Sequence, residues 1–190
     1  SRDRKMKPAV AILLAEGFEE IEAITPLDVL RRLEVPVLLA GIAGREVAGS
    51  HGMRLIADAE LAELSAERLA AVVLPGGMPG AVHLRDHPAV LRLVREVHAA
   101  GRPVAAICAA PIVLAAAGLT RGKTVTGYPM ALVKEALADA RYTGNLVETD
   151  GLLITGKGPG AAFAFACAIA AVLGKAAPAE QLMKAMFVPR

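Results

Sequence analysis

A chain of 190 residues with 21 basic and 19 acidic side chains and a net charge of +2 can enclose one sizeable core but not two comfortable domains. The two signs are mixed along the sequence, which excludes an extended basic face for nucleic acid and an acidic tail. Hydrophobic residues make up 55% and aromatics only 3%, so the interior has to be built from Ala, Val, Leu and Ile in close contact.

The opening SRDRKMKP is basic, starts on Ser and lacks the apolar region of a secretory signal; residues 1–7 read as a disordered lead-in or tag remnant ahead of a single domain over 8–190. AVAILLA from Ala9 predicts a first strand, GFEE (Gly17 to Glu20) a turn, and residues 19–33 a helix. VPVLLAG from Val35 predicts the next strand, and the glycine-punctuated stretch 44–60 a hairpin. Strands follow at AVVLP from Ala71, VAAI from Val104, TVT from Thr124 and LLIT from Leu152. Helices fall over 88–100, 109–117, 130–138 and 160–173. Several strands are apolar throughout, as strands covered on both faces are, and the βαβ alternation implies a mainly parallel sheet with helices on both sides. The longest apolar run, Ala161 to Leu173, has 13 residues. A bilayer span needs about 20, so the run reads as a buried helix and no membrane association is expected. Two cysteines, Cys108 and Cys167, cannot staple a secreted domain and point to a reducing compartment. The expected home is the cytoplasm, or an organellar stroma or matrix if a transit peptide was removed.

In such sheets a ligand crevice lies outside the carboxyl ends of the strands, so the turns GFEE, PGGMPG (Pro75 to Gly80) and CAAP (Cys108 to Pro111) are the places to look for chemistry. Cys108 precedes Pro111, which suits the first turn of a helix. A sulfur at a helix N-terminus is stabilised as thiolate and its pKa is lowered, although a cysteine in an apolar run can equally be core filler. Gly76 and Gly77 offer backbone N–H groups as an oxyanion hole, or simply the φ freedom of a βα turn. Glu19 and Glu20 read as solvated charges complementing a helix dipole. Glu22 stands among Ile21, Ala23 and Ile24, where desolvation would raise its pKa and let it hold a proton near neutrality. Pro26 either sits inside that helix and kinks it, or TPLD (Thr25 to Asp28) is a cap that starts the helix later.

GFEEIE from Gly17, LPGG from Leu74, AAICAAP from Ala105, TGYP from Thr126 and GPG from Gly158, in this order and spacing, resemble the ThiJ/PfpI superfamily. Within it the chain is most similar to the branch of the Parkinsonism-associated protein deglycase and the bacterial ThiJ (YajL) proteins. The resemblance spans Lys7 to Val188 and implies a flavodoxin-like α/β sandwich, as in class I glutamine amidotransferases, usually homodimeric and with no cofactor or metal. It implies a nucleophile elbow at Cys108, a protonated Glu22 against the sulfur, backbone amides at Gly77 and Ala109, an acidic pocket residue at Glu19 and a pocket residue at Tyr128. Protease-like and chaperone-like branches place His directly after the nucleophile, whereas residue 109 is Ala. None of His51, His83, His87 and His98 falls in a motif turn, so a triad-type peptidase is not expected and Glu22 is the obvious acid/base. The implied activity is a glyoxalase of the glutathione-independent type, with deglycase action on methylglyoxal adducts of thiols or amines. The rival reading is a stress sensor or protective chaperone-like protein that oxidises at Cys108 without significant turnover.

Four further features carry less. GLTRGKT (Gly118 to Thr124) is one residue short of a phosphate loop and follows a helix. GKGPGA (Gly156 to Ala161) follows the last apparent strand, leaving no βαβ unit to hold a dinucleotide. His83 and His87 lack a third metal ligand and read as solvent-facing, and Cys167 as an inert buried side chain.

Overall fold

The computed structural model describes residues 7–190; most of the expected lead-in lies outside the described residues. In chain order the elements are β1 (Ala9–Leu14), α1 (Glu20–Arg32), β2 (Val37–Gly41), β3 (Glu46–Ala48), β4 (Arg54–Ile56), β5 (Ala59–Glu60), β6 (Leu69–Leu74), α2 (Gly80–Arg85) and α3 (Pro88–Ala99). They continue with β7 (Val104–Ile107), α4 (Pro111–Ala116), β8 (Thr124–Val125), α5 (Ala131–Ala136), β9 (Arg141–Tyr142), β10 (Val147–Asp150), β11 (Leu153–Gly156), α6 (Ala162–Val172) and α7 (Ala176–Ala185).

Seven strands form one sheet in the order β10-β11-β7-β6-β1-β2-β5. All neighbours are parallel except the β10–β11 pair at the edge, so the expected flavodoxin-like α/β sandwich is the observed one. Both faces are covered: Leu13, Leu74, Val94 and Ile112 belong to one core, and Ile12, Val73, Ile107 and Phe165 to the other. This is why the central strands are apolar without alternation. The expected hairpin at 44–60 is the antiparallel β3–β4 pair, standing apart from the main sheet.

Two expectations change. The strand at Thr124 does not join the sheet; it pairs with β9 in a separate two-stranded ladder. Its flanking amides are taken by side chains of the β10–β11 hairpin, Thr124 N–H donating to Asp150 and Thr126 N–H to Thr155. The α6 run is not buried all round, because only one face meets the sheet. Phe163 on another face is exposed, and Cys167 is half-buried in a groove toward α7. Burial still raises the Cys167 thiol above its usual pKa, in keeping with an unreactive side chain. Among the described residues no helix is long and apolar enough to cross a membrane.

Candidate active site

The carboxyl ends of β1, β6 and β7 bring the three turns together, because these strands are neighbours in one parallel sheet. Cys108 immediately follows β7 with φ +66°, a left-handed conformation that costs a non-glycine residue on the order of 1 kcal/mol or more. The surroundings hold it there. Its N–H donates to the Gly156 carbonyl at 2.9 Å and its carbonyl accepts from Tyr128 N–H at 2.8 Å. The strained elbow turns the sulfur out of the strand line and toward α1, leaving the residue half-buried.

Glu22 meets it from the first turn of α1. That helix begins at Glu20 with Glu19 as N-cap and runs through Pro26, so TPLD is not its start. Pro26, lacking an N–H, leaves the Glu22 carbonyl without its helical donor. The Glu22 side chain is fully buried, and its Oε1 accepts from Gly76 N–H at 3.0 Å. Its Oε2 is buried with no hydrogen bond satisfying ordinary geometry, while the Cys108 thiol lies close enough for each group to alter the other's titration. A carboxylate in this position would bury a charged oxygen without a donor, whereas a carboxylic acid there has a proton to give.

Burial accordingly pushes Glu22 up from 4.5 to about 7, against the lowering effect of the neighbouring Cys108 thiol and of the Gly76 N–H, and with the Glu19 charge adding to the rise. Cys108 departs from the helix-terminus expectation. Burial, then the Glu22 charge and its hydrogen bond, push the thiol up to about 12, and the amides of Ala109 and Gly77 lower it only in part. Helix α4 has six residues, too few for its dipole to override desolvation beside a carboxylate. Sulfur and carboxylate thus compete for one proton. While Glu22 is ionised the sulfur keeps that proton; a Glu22 that has taken it up no longer repels the thiolate and donates to it instead.

The remaining expected residues surround this pair. Gly77 and Ala109 direct their amides at the sulfur, and Gly77 has φ +89°. Gly76 is a packing requirement: a Cβ there would lie 2.7 Å from both Cys108 Cβ and Glu22 Oε1. Gly76→Ala is expected to separate the two groups and slow Cys108 alkylation by iodoacetamide at least about tenfold, a barrier rise of about 1.4 kcal/mol. An unchanged rate would show that the contact can relax. Glu19 caps α1 through Ile21 N–H and donates its own N–H to the Gly76 carbonyl. Tyr128, 46% exposed, stands at the mouth beside Gly158.

Glu20 was not legible as a site residue. It is buried, not solvated, and accepts from the amides of His51 and Met53 and from Ser50 Oγ. Burial alone would raise its pKa, but its own N–H, the Met53 and His51 amides and the His51 ring together hold the carboxyl below its usual range. His51, distant in sequence, places Nδ1 3.2 Å from Glu20 and 3.4 Å from Glu19. The ligand atoms of these three residues lie within 4.8 Å of one another, yet the Glu20 oxygens are already engaged by protein donors that a cation would have to displace. His83 is exposed as expected, whereas His87 is half-buried with an unpartnered Nδ1.

The model of the DJ-1/PfpI family matches residues 8–172. The chain is 37% identical over 185 residues to Protein dj-1beta of Drosophila melanogaster, covering 96% of this chain and 98% of that protein. It is 33% identical over 187 residues to the glutathione-independent glyoxalase DJR-1.2 of Caenorhabditis elegans, covering 97% and 98%. The solved structure of Drosophila DJ-1beta superposes with a TM-score of 0.90 at 37% identity, covering 97% of this chain and all 100% of that one. A DJ-1 superfamily protein from Salmonella typhimurium, solved with a cysteine replaced by alanine, gives 0.89 at 39% identity, with coverage of 97% and 100%. Sequence, architecture and the convergence of its turns agree: the chain belongs to the DJ-1/PfpI family.

Proposed function

We propose that the protein is a cofactor-independent glyoxalase that converts methylglyoxal to lactate, with deglycase action on methylglyoxal adducts of thiols and amines. The observation that carries this reading is the buried Glu22 carboxyl, with one oxygen unsatisfied, beside Cys108 on a strained elbow. Glu22 takes the thiol proton and the sulfur adds to the aldehyde carbon, forming a C–S bond and a hemithioacetal oxyanion that receives the Gly77 and Ala109 amides. Glu22 gives that proton to the oxyanion and, as a carboxylate again, removes the proton on the same carbon and returns it to the neighbouring carbon by way of an enediol, while the hydroxyl proton passes to the neighbouring oxygen to leave a lactoyl thioester. Water cleaves the lactoyl thioester, releasing lactate and restoring the thiol. Methylglyoxal and one water are consumed, with no external oxidant. The relative named as a glutathione-independent glyoxalase supports the substrate class. Peptidase action is not part of the proposal, because Ala109 follows the nucleophile and the hydrogen-bonding partners of His51 are Ser50, Glu19 and Glu20. We further place the protein in the cytoplasm as a homodimer; exposed Ile21 on α1 and Met53 near β4 support an interface between copies. The test is lactate formation from methylglyoxal by the purified protein, measured beside Cys108→Ser. No lactate from the wild type ends this reading.

The same unsatisfied Glu22 oxygen favours one alternative, a redox sensor in which a protonated Glu22 donates to a sulfinate at Cys108. Mild peroxide should then add two oxygens selectively at Cys108 in the mass spectrum, and the absence of that gain would count against a sensor.

A further inference from the structure

A cavity of about 350 Å³ opens beside the candidate site, bounded by Tyr128, Pro129, Leu146, Lys157 and Pro159. The parallel register of β11 against β7 pairs Gly156 with Ile107, so Lys157 stands level with Cys108, one residue past the end of both strands. Its backbone is anchored by N–H donation to the Leu146 carbonyl at 2.9 Å. Gly158 packs under Tyr128, whose ring lies 3.5 Å from where a Cβ would stand, and Tyr128 N–H is bonded to the Cys108 carbonyl. Cavity and elbow therefore share a wall.

The charge in this cavity is one-sided. Lys157 is its single charged side chain and no carboxylate lines it. Three other cavities carry both signs, Arg92 with Glu96 in one, Asp28 with Arg31 and Arg32 in another, Glu180 with Lys184 in a third, and a fourth is lined by Glu16 and Asp86 with no Lys or Arg. Among the described residues Lys157 enters no ion pair. The eleven-residue helix α6 begins at the same wall with no side-chain cap, so its dipole adds to the positive potential. An apolar, open groove with one unneutralised cation suits a ligand whose body is apolar and whose far end is an anion.

We propose that this cavity is a substrate subsite in which Lys157 selects 2-oxoaldehydes carrying an anionic group, a carboxylate or phosphate, at the end remote from the aldehyde. The proposal deepens the glyoxalase reading and rests on it for the reacting end of the substrate. Lys157 is a specificity-determining residue here; it moves no proton.

Two probes matched in shape test it: phenylglyoxal, which is neutral, and 4-carboxyphenylglyoxal, which places a carboxylate across the ring. The wild type should show a higher kcat/KM for the carboxylate compound, carried mainly by KM. Lys157→Met should reduce that preference at least about fivefold and Lys157→Glu should reverse it, in the range expected for a partly desolvated charge pair. The preference should also shrink with added salt. A preference equal in wild type and Lys157→Met overturns the subsite while leaving the glyoxalase reading intact. A second measurement does not depend on turnover: alkylation of Cys108 by 4-(iodoacetamido)benzoate against N-phenyl iodoacetamide. If neither glyoxal is turned over but alkylation favours the benzoate through Lys157, the glyoxalase reading fails and the anionic subsite stands. If alkylation shows no Lys157-dependent preference either, the subsite is overturned.

Discussion

Replacing Cys108 by Ser should reduce lactate formation from methylglyoxal to background, and Glu22→Gln should lower it at least about tenfold, or about 1.4 kcal/mol of barrier. The two losses have different causes. Serine keeps the elbow and its hydrogen bonds but offers a hydroxyl far harder to ionise than a thiol, with only Glu22 beside it as a base. Glutamine keeps the shape of Glu22 and can still accept from Gly76 N–H, but it cannot take the thiol proton or return one to the enediol. Cys108 in Glu22→Gln should therefore still be alkylated by iodoacetamide while turnover falls. A wild-type rate in Cys108→Ser would remove sulfur from the reaction. An unchanged rate in Glu22→Gln would move the proton shuttle to another group.

Stability and activity are expected to move in opposite directions through the same titration. Glu22 is raised in the folded state from 4.5 to about 7 by burial, so folding favours its protonated form. The stability this contributes is fully present below about pH 4.5 and is lost as pH rises through about 7. The interval between the two values, at about 1.4 kcal/mol per pH unit, corresponds to about 3 kcal/mol. Urea unfolding should show the wild type losing roughly that much relative to Glu22→Gln between pH 4.5 and 8. A constant difference across this window would show that the carboxyl titrates near its usual value. Turnover should rise over the upper part of the same window, because the single proton shared by Glu22 and Cys108 is reached only after the first of two has left. The protein is then least stable where its candidate site is competent, as expected where burial of a charge serves chemistry.

The layout of the sheet was legible because burial on both faces leaves unbroken apolar runs, and runs such as AVAILL and VAAI carry that signal within a few contiguous residues. Thr124 misled because a short β-branched run does not say which partner it finds; the Asp150 and Thr155 side chains decided that. Cys108 and Glu22 stood out by residue type and by their place just after strands. The direction of the Cys108 titration did not, since a helix terminus says nothing of a carboxylate that arrives from another helix, α1.

Sequence alone determined the α/β class, the turns in which chemistry would sit and the family resemblance, because periodicity and motif spacing are properties of the chain itself. Only the tertiary structure decided that Glu20 is buried against the loop at Ser50 to Met53, that Glu22 and Cys108 contend for one proton, and that Lys157 stands level with the sulfur. These depend on the register between strands far apart in sequence. Desolvation and Coulomb interaction act through distance in space, and the folded chain is the first place where those distances exist.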